Sequence, residues 1–109
     1  GTGMTMTLSK AGLLLAAIVV SCLCTYAQAS DIFNGKDVYD LHCQTCHGMD
    51  GQAIEPGVPD FSRGESLYAP DVDLVRVLRD GDGHLPSYRG LLSDEELRDV
   101  IAYIRTLQR

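Results

Sequence analysis

The pattern of apolar and polar positions divides the chain into an apolar N-terminal run and a longer, amphipathic remainder. Residues 11–20 carry no polar side chain, and Lys10 is the only charged residue that precedes them. Near the other end, apolar side chains recur with the period of about 3.6 residues that is typical of a helix with one buried face. These positions are Leu97, Val100, Ile101, Ile104 and Leu107.

Capping residues predict where three helices begin and end. The last helix is expected to start after Ser93, because Ser93 and Glu96 form an S-x-x-E capping box. A second helix is expected over residues 70–79, with Gly81 after its end. The first helix is expected to have Asn34 as its N-cap and to lead toward a cysteine pair. Since no alternating pattern indicates strands, these signals predict an all-α fold of three to four short helices.

The first 29 residues have the layout of a secretory signal peptide. Their apolar run is shorter than the roughly 20 residues needed to span a bilayer. Ala27-Gln28-Ala29 provides a small-x-small site, so we expect cleavage after Ala29 and a mature domain over residues 30–109. Two alternatives stay open: lipoprotein-type cleavage that leaves a lipid on Cys22, and an uncleaved segment that anchors the chain in a membrane. Each of the three predicts an exported, periplasmic domain.

The charge balance excludes several classes of partner. The chain has 109 residues, fifteen of them acidic and nine basic, and a formal net charge of −6. Such a surface argues against nucleic acid and anionic membranes as partners, and we expect a monomer that meets basic protein partners. A domain of this length is too small for a multidomain enzyme. It also buries little core, so it needs a cofactor, a metal or disulfides to stay folded.

The segment Cys43-Gln44-Thr45-Cys46-His47 carries the candidate chemistry. C-x-x-C-H is the pattern of covalent haem attachment, in which each thiol forms a thioether with a vinyl group and the histidine ligates the iron. Residues three apart in a helix lie on one face, so this spacing suits a helix end. The pattern predicts one covalent haem c with His47 as its proximal ligand.

Two other uses of these residues stay open. A structural zinc site would need four nitrogen or sulfur ligands, which Cys43, Cys46, His47 and His84 could supply. A disulfide would use the two cysteines alone. A thioredoxin-like dithiol would also need a βαβ context, which the pattern does not show.

The chain resembles the class I c-type cytochromes over essentially the whole predicted domain. The resemblance rests on the Cys43–Gly48 attachment segment with the apolar helix before it, the Gly83-His84-Leu85-Pro86-Ser87-Tyr88 loop, and the last helix. It implies a fold in which the first and last helices cross beside one haem. Gly35, Tyr39 and Tyr103 resemble the small and aromatic residues that meet at this crossing.

The resemblance also implies the surroundings of the iron. Family members have a proline whose carbonyl oxygen accepts the Nδ1–H of the proximal histidine, and Pro59, or else Pro56, matches it. Such a bond would fix the His47 tautomer and tune the iron. The usual sixth ligand is a methionine before the last helix, but Leu85 occupies that position, where it can only pack on the distal side. Met49 lies two residues after His47 and is tethered to the proximal side.

His84 is the candidate sixth ligand, because it adjoins Leu85 and imidazole is a common haem ligand. The alternative is a solvent-facing His84 beside a distal site that is open or holds water. Paired histidines would lower the reduction potential relative to a histidine and methionine pair, whereas an open site would bind small ligands.

The favoured function is therefore a periplasmic one-electron carrier and not an enzyme, since no paired acid and base groups are evident. Two alternatives stay open. One is a haem protein that binds or senses a small ligand at an open distal site. The other is an electron-accepting subunit of a periplasmic dehydrogenase or oxidase.

Replacement of both attachment cysteines, Cys43→Ala with Cys46→Ala, tests whether the expected haem stabilises the fold. We expect this variant to lose most of its helical circular dichroism, because a domain of this size has too little core of its own. Full helix content with cooperative unfolding in the double variant would contradict the expectation.

Overall fold

The computed structural model of the protein describes residues 29–109, and the expected signal peptide lies almost wholly outside them. These residues form four α-helices and one 3-10 turn, with no strand among them, so the expected all-α class is confirmed. In chain order the elements are α1 (Ile32–His42), α2 (Gln44–His47), the 3-10 turn Phe61–Arg63, α3 (Asp71–Asp80) and α4 (Asp94–Thr106). None of these helices has the length and apolar character needed to cross a membrane.

Helices α1 and α4 cross where Gly35 faces the backbone of α4. A Cβ atom on Gly35 would lie 2.0 Å from the carbonyl oxygen of Asp99, so only a glycine allows this approach. One turn further along α1, the rings of Tyr39 and Tyr103 pack with their centroids 5.3 Å apart and their planes tilted by 59°. The expected crossing of the first and last helices, through these three residues, is confirmed.

The start of α1 differs from the prediction. Asn34 is not the N-cap; Asp31 is, and its side chain accepts hydrogen bonds from the N–H groups of Phe33 and Asn34. The Asn34 side chain is instead engaged with α4, because its Nδ2 donates to Asp99 Oδ2 at 2.9 Å. Asp99 Oδ1 also accepts the N–H of Asp31 at 2.7 Å. An aspartate three residues earlier thus caps the helix, and the asparagine joins α1 to α4.

Helices α3 and α4 begin and end close to the predicted positions. Ser93 and Glu96 form both hydrogen bonds of the capping box at the start of α4. Gly81 ends α3 with a φ of 77°. The apolar positions of the α4 pattern are buried, except that Leu107 is only partly covered.

The core consists of two small clusters that α4 links. The first gathers residues from α1, the 3-10 turn, the loop that follows this turn, and α4, namely Val38, Tyr39, Phe61, Leu67, Val100 and Ile104. The second joins α3 to α4 through Val75, Leu97 and Ile101. Leu78 and Leu92 are partly buried and pack against both clusters.

Arg105 fastens the loop before α3 to α4. Its guanidinium donates to the carbonyl oxygens of Leu67 at 2.6 Å and Ala69 at 3.0 Å, and to the Asp71 carboxylate at 2.6 and 3.0 Å. One planar cation therefore satisfies several backbone and side-chain acceptors at the start of α3, a geometry that suits arginine.

The variant Gly35→Ala tests the dependence of the fold on the close approach of α1 and α4. We expect a loss of at least about 2 kcal/mol in the free energy of unfolding, because the added methyl group must separate the two helices. Urea unfolding of the haem-loaded protein measures it. Lys36→Ala, the next position of α1 and an exposed one, is the control and should keep the parent midpoint. Equal midpoints for Gly35→Ala and the parent would refute this account.

Candidate functional site

The two cysteines lie at the junction of α1 and α2. Cys43 is the C-cap of α1, and the single turn α2 places Cys46 and His47 immediately after it. The carbonyl oxygen of Cys43 accepts the N–H groups of Cys46 at 3.3 Å and His47 at 3.0 Å. This turn brings the three side chains of the motif into one short segment. Both cysteines are free thiols.

Burial suppresses the ionisation of the first thiol. The pKa of Cys43 is raised to about 11, chiefly because burial disfavours the thiolate and secondly because Cys46 is close. Cys43 is also packed against the first core cluster. The free Cys43 thiol therefore stays protonated near neutral pH, which slows thiol–disulfide exchange through this sulfur.

Gly48 turns the chain away directly after His47. Its φ of 81° favours glycine, and a Cβ atom there would lie 2.2 Å from the carbonyl oxygen of Gln52. The hydroxyl of Tyr39, which is fully buried, donates to the Gly48 carbonyl oxygen at 2.6 Å. The same burial raises the pKa of Tyr39, so this donor keeps its proton. Tyr39 therefore packs at the crossing of α1 and α4 and also fixes the backbone at the end of the attachment motif.

The His47 ring is held at its edge and at its face. Nδ1 lies 3.3 Å from the carbonyl oxygen of Pro59, the residue that the resemblance singles out for this contact. Phe61 stacks on the ring, with centroids 4.4 Å apart and planes within 16°. Burial lowers the pKa of His47, and the Pro59 hydrogen bond opposes this less strongly. A neutral ring whose Nδ1–H faces a carbonyl keeps the lone pair on Nε2 for a metal.

The 82–88 loop carries the two residues considered for the distal side. The Asp82 carboxylate accepts the N–H groups of His84 at 3.0 Å and Leu85 at 2.6 Å. These hydrogen bonds lower the pKa of Asp82. Leu85 is half-buried, whereas His84 is exposed. Met49, which the sequence places on the proximal side, is 74% exposed.

Tyr88 connects this loop to the attachment segment. Its hydroxyl donates to the His42 carbonyl oxygen at 3.4 Å, and the two rings meet edge to face with centroids 5.9 Å apart. Its own N–H donates to the carbonyl oxygen of Leu78 in α3. One tyrosine therefore contacts both α3 and the residue before Cys43.

Sequence reasoning did not identify the contacts of Phe61, the Tyr39 hydroxyl or Tyr88 with this site. The signal for Phe61 was its position two residues after Pro59. Tyr39 and Tyr88 lie within segments that support the resemblance, but their presence there does not reveal which acceptor each hydroxyl contacts.

The donor set fits covalent haem c. Two thiols that are free to form thioethers precede an imidazole that offers one nitrogen. Partly buried apolar side chains on α3 and in the loops are available to cover a large apolar group; they are Val58, Leu74, Val77, Leu78, Leu85 and Leu92. The zinc alternative is disfavoured, because no three His, Cys, Asp or Glu side chains of residues 29–109 are grouped as a metal ion would require.

Comparisons with known proteins agree with this assignment. A family profile described as "Cytochrome C oxidase, cbb3-type, subunit III" matches residues 30–104. Cytochrome c6 of Synechocystis sp. is 30% identical over 83 residues, which cover 72% of this chain and 67% of that protein. The cytochrome bc1 complex cytochrome c subunit of Corynebacterium efficiens is 42% identical over 67 residues, but these cover 59% of this chain and only 21% of that protein.

A solved structure supports the fold. Cytochrome c6 from the diatom Phaeodactylum tricornutum superimposes with a TM-score of 0.59 at 22% identity, covering 71% of this chain and 93% of that one. The sequence matches and the fold agree with the attachment motif. The chain therefore belongs to the class I c-type cytochromes, a family of electron carriers that bind one covalent haem c.

Proposed function

We propose that the chain is a periplasmic one-electron carrier whose haem is attached through Cys43 and Cys46 and ligated on the proximal side by His47. The observation that supports this most directly is the His47 ring itself. Its Nδ1 faces the Pro59 carbonyl oxygen, so the tautomer with a free Nε2 is favoured. When bound, the haem supplies an iron that alternates between two oxidation states without large rearrangement of its surroundings.

The protein's own residues fix the position and the electronic character of the ligand. The Pro59 carbonyl oxygen orients the imidazole and raises its basicity as a ligand. The hydrogen bond from Tyr39 to Gly48 holds the backbone directly after the ligand. Both contacts join the motif to rigid parts of the fold, which keeps the ligand in place while an electron arrives or leaves.

On the distal side, His84 is the proposed sixth ligand. Leu85 occupies the position of the usual methionine and has no donor atom, whereas His84 is its neighbour in the same turn. Tyr88 holds the loop against the attachment segment. For His84 to coordinate the iron, the turn that Asp82 forms must direct the side chain of His84, rather than that of Leu85, toward the iron. Leu85 then packs beside the His84 ring.

An open distal site is the second candidate, because Leu85 is half-buried whereas His84 is exposed. In that arrangement Leu85 covers the distal side without binding the iron, and a small ligand could enter. The protein would then bind or sense such a ligand.

The expected partners are other redox proteins outside the cytoplasm. Two lines of support are the family profile, named for an oxidase subunit, and the relative named as a bc1 complex subunit. Most basic side chains of residues 29–109 are already paired with carboxylates on the surface, as for Arg79 with Asp94 and Arg109 with Asp50. The remaining negative charge favours a partner with a basic docking surface. Export follows from the predicted cleavage after Ala29.

Absorption spectra of the haem-loaded protein, with and without carbon monoxide, distinguish the two distal arrangements. With His84 as ligand, we expect a low-spin spectrum that carbon monoxide does not change. His84→Ala should convert it to a high-spin form that binds carbon monoxide, because the sixth ligand is lost. His42→Ala, which removes an imidazole that packs on Tyr88, is the control and should stay low-spin. A parent protein that binds carbon monoxide at once would instead establish the open site.

A further inference from the structure

Phe61 contacts the ring of His47, and covalent attachment of the haem does not require this contact. Its ring lies nearly parallel to the imidazole of His47, with centroids 4.4 Å apart and planes within 16°. The side chain is only 8% exposed. A parallel, buried ring at this distance covers one face of the imidazole, whereas the Pro59 carbonyl oxygen approaches its edge.

The backbone around Phe61 is held firmly. The Gly51 carbonyl oxygen accepts the N–H of Phe61 at 2.9 Å, and the Ser62 hydroxyl donates to the Asp60 carboxylate at 2.5 Å. A Cβ atom on Gly51 would lie 3.1 Å from the Phe61 Cβ, so the two segments are in close contact. Pro59 and Phe61 therefore approach the imidazole from one short segment that is tied to the loop after the attachment motif.

A single hydrogen bond leaves the orientation of an imidazole loosely defined. The torsion between its Cβ and the ring is of the sp³–sp² type, which has broad energy wells. A stacked ring adds a preference for one plane, since offset-parallel aromatic pairs are favoured beyond the burial of their surface. The stacked face also limits the access of water to the Nδ1–H and its carbonyl acceptor.

We propose that Phe61 is a positioning residue, which sets the plane of the His47 ring and shields its hydrogen bond to Pro59. This inference rests on the proposed role of His47 as the proximal ligand. The plane of an axial imidazole determines how its π orbitals align with the d orbitals of the iron. Phe61 therefore acts on the iron through its contact with His47.

A purely packing role for Phe61 must be separated from this one, because Phe61 also belongs to the first core cluster. Phe61→Leu keeps an apolar side chain and removes the flat face. Phe61→Tyr keeps the flat face. Phe33→Leu alters the chain's other phenylalanine, which is 85% exposed on α1, and serves as the matched control.

The experiment is nuclear magnetic resonance on the haem-loaded, full-length variants. In the ferric state the shifts of the four haem methyl groups report the plane of the axial imidazole. In the ferrous state, hydrogen exchange at His47 Nδ1 reports its shielding. We expect Phe61→Leu to change the pattern of haem methyl shifts. We also expect it to accelerate hydrogen exchange at His47 Nδ1 about two- to tenfold, which is the factor that corresponds to the free energy of one stacked aromatic pair. Phe61→Tyr and Phe33→Leu should keep the parent values.

The outcomes separate this inference from the proposed function. If Phe61→Leu lowers the urea midpoint but leaves the methyl pattern and the exchange rate unchanged, Phe61 is a core residue only and the inference is wrong. A parent protein without an iron-bound His47 signal would overturn the proposed ligation itself. Should Phe61→Leu fail to fold, Phe61→Tyr still tests the inference, because loss of the parent methyl pattern in a variant that retains the ring would contradict it.

Discussion

The close approach of α1 to α4 is the constraint on which the rest of the molecule depends. It exists because residue 35 has no side chain, so the Asp99 carbonyl can occupy the space beside it. Asp99, which is 4% exposed, then stabilises the same crossing because its carboxylate accepts two hydrogen bonds from the start of α1. The attachment motif begins where α1 ends. The position of the thiols and of His47 is therefore determined by a contact two turns away.

The small core is the reason why we expect the fold to rely on its cofactor. The two apolar clusters are joined mainly through α4, and α3 contributes a single buried residue, Val75. Three leucines, Leu74, Leu78 and Leu92, pack on these clusters and are only partly buried. A large apolar group adds the missing surface, and burial of such surface is the main favourable contribution to folding.

Local signals in the sequence were sufficient for the helices and the attachment motif, but not for the contacts between segments. The capping box at Ser93 and the glycine after α3 are determined by neighbours within four residues, and both predictions are confirmed. Asn34 was misassigned because asparagine and aspartate are equally good caps, and only the distant Asp99 decides between Asp31 and Asn34. The stacking of Phe61 on His47 depends on how a loop folds back, which periodicity does not describe.

The hydrogen bond from Tyr88 to the His42 carbonyl oxygen has a mechanical consequence. Tyr88 belongs to the loop that we propose covers the distal side, and His42 is the last residue of α1, directly before the first attachment cysteine. A displacement of the loop would pull on the peptide group that joins α1 to Cys43. In the proposed arrangement, an outward swing of this loop would therefore be transmitted through the phenol of Tyr88 to the segment that attaches the haem.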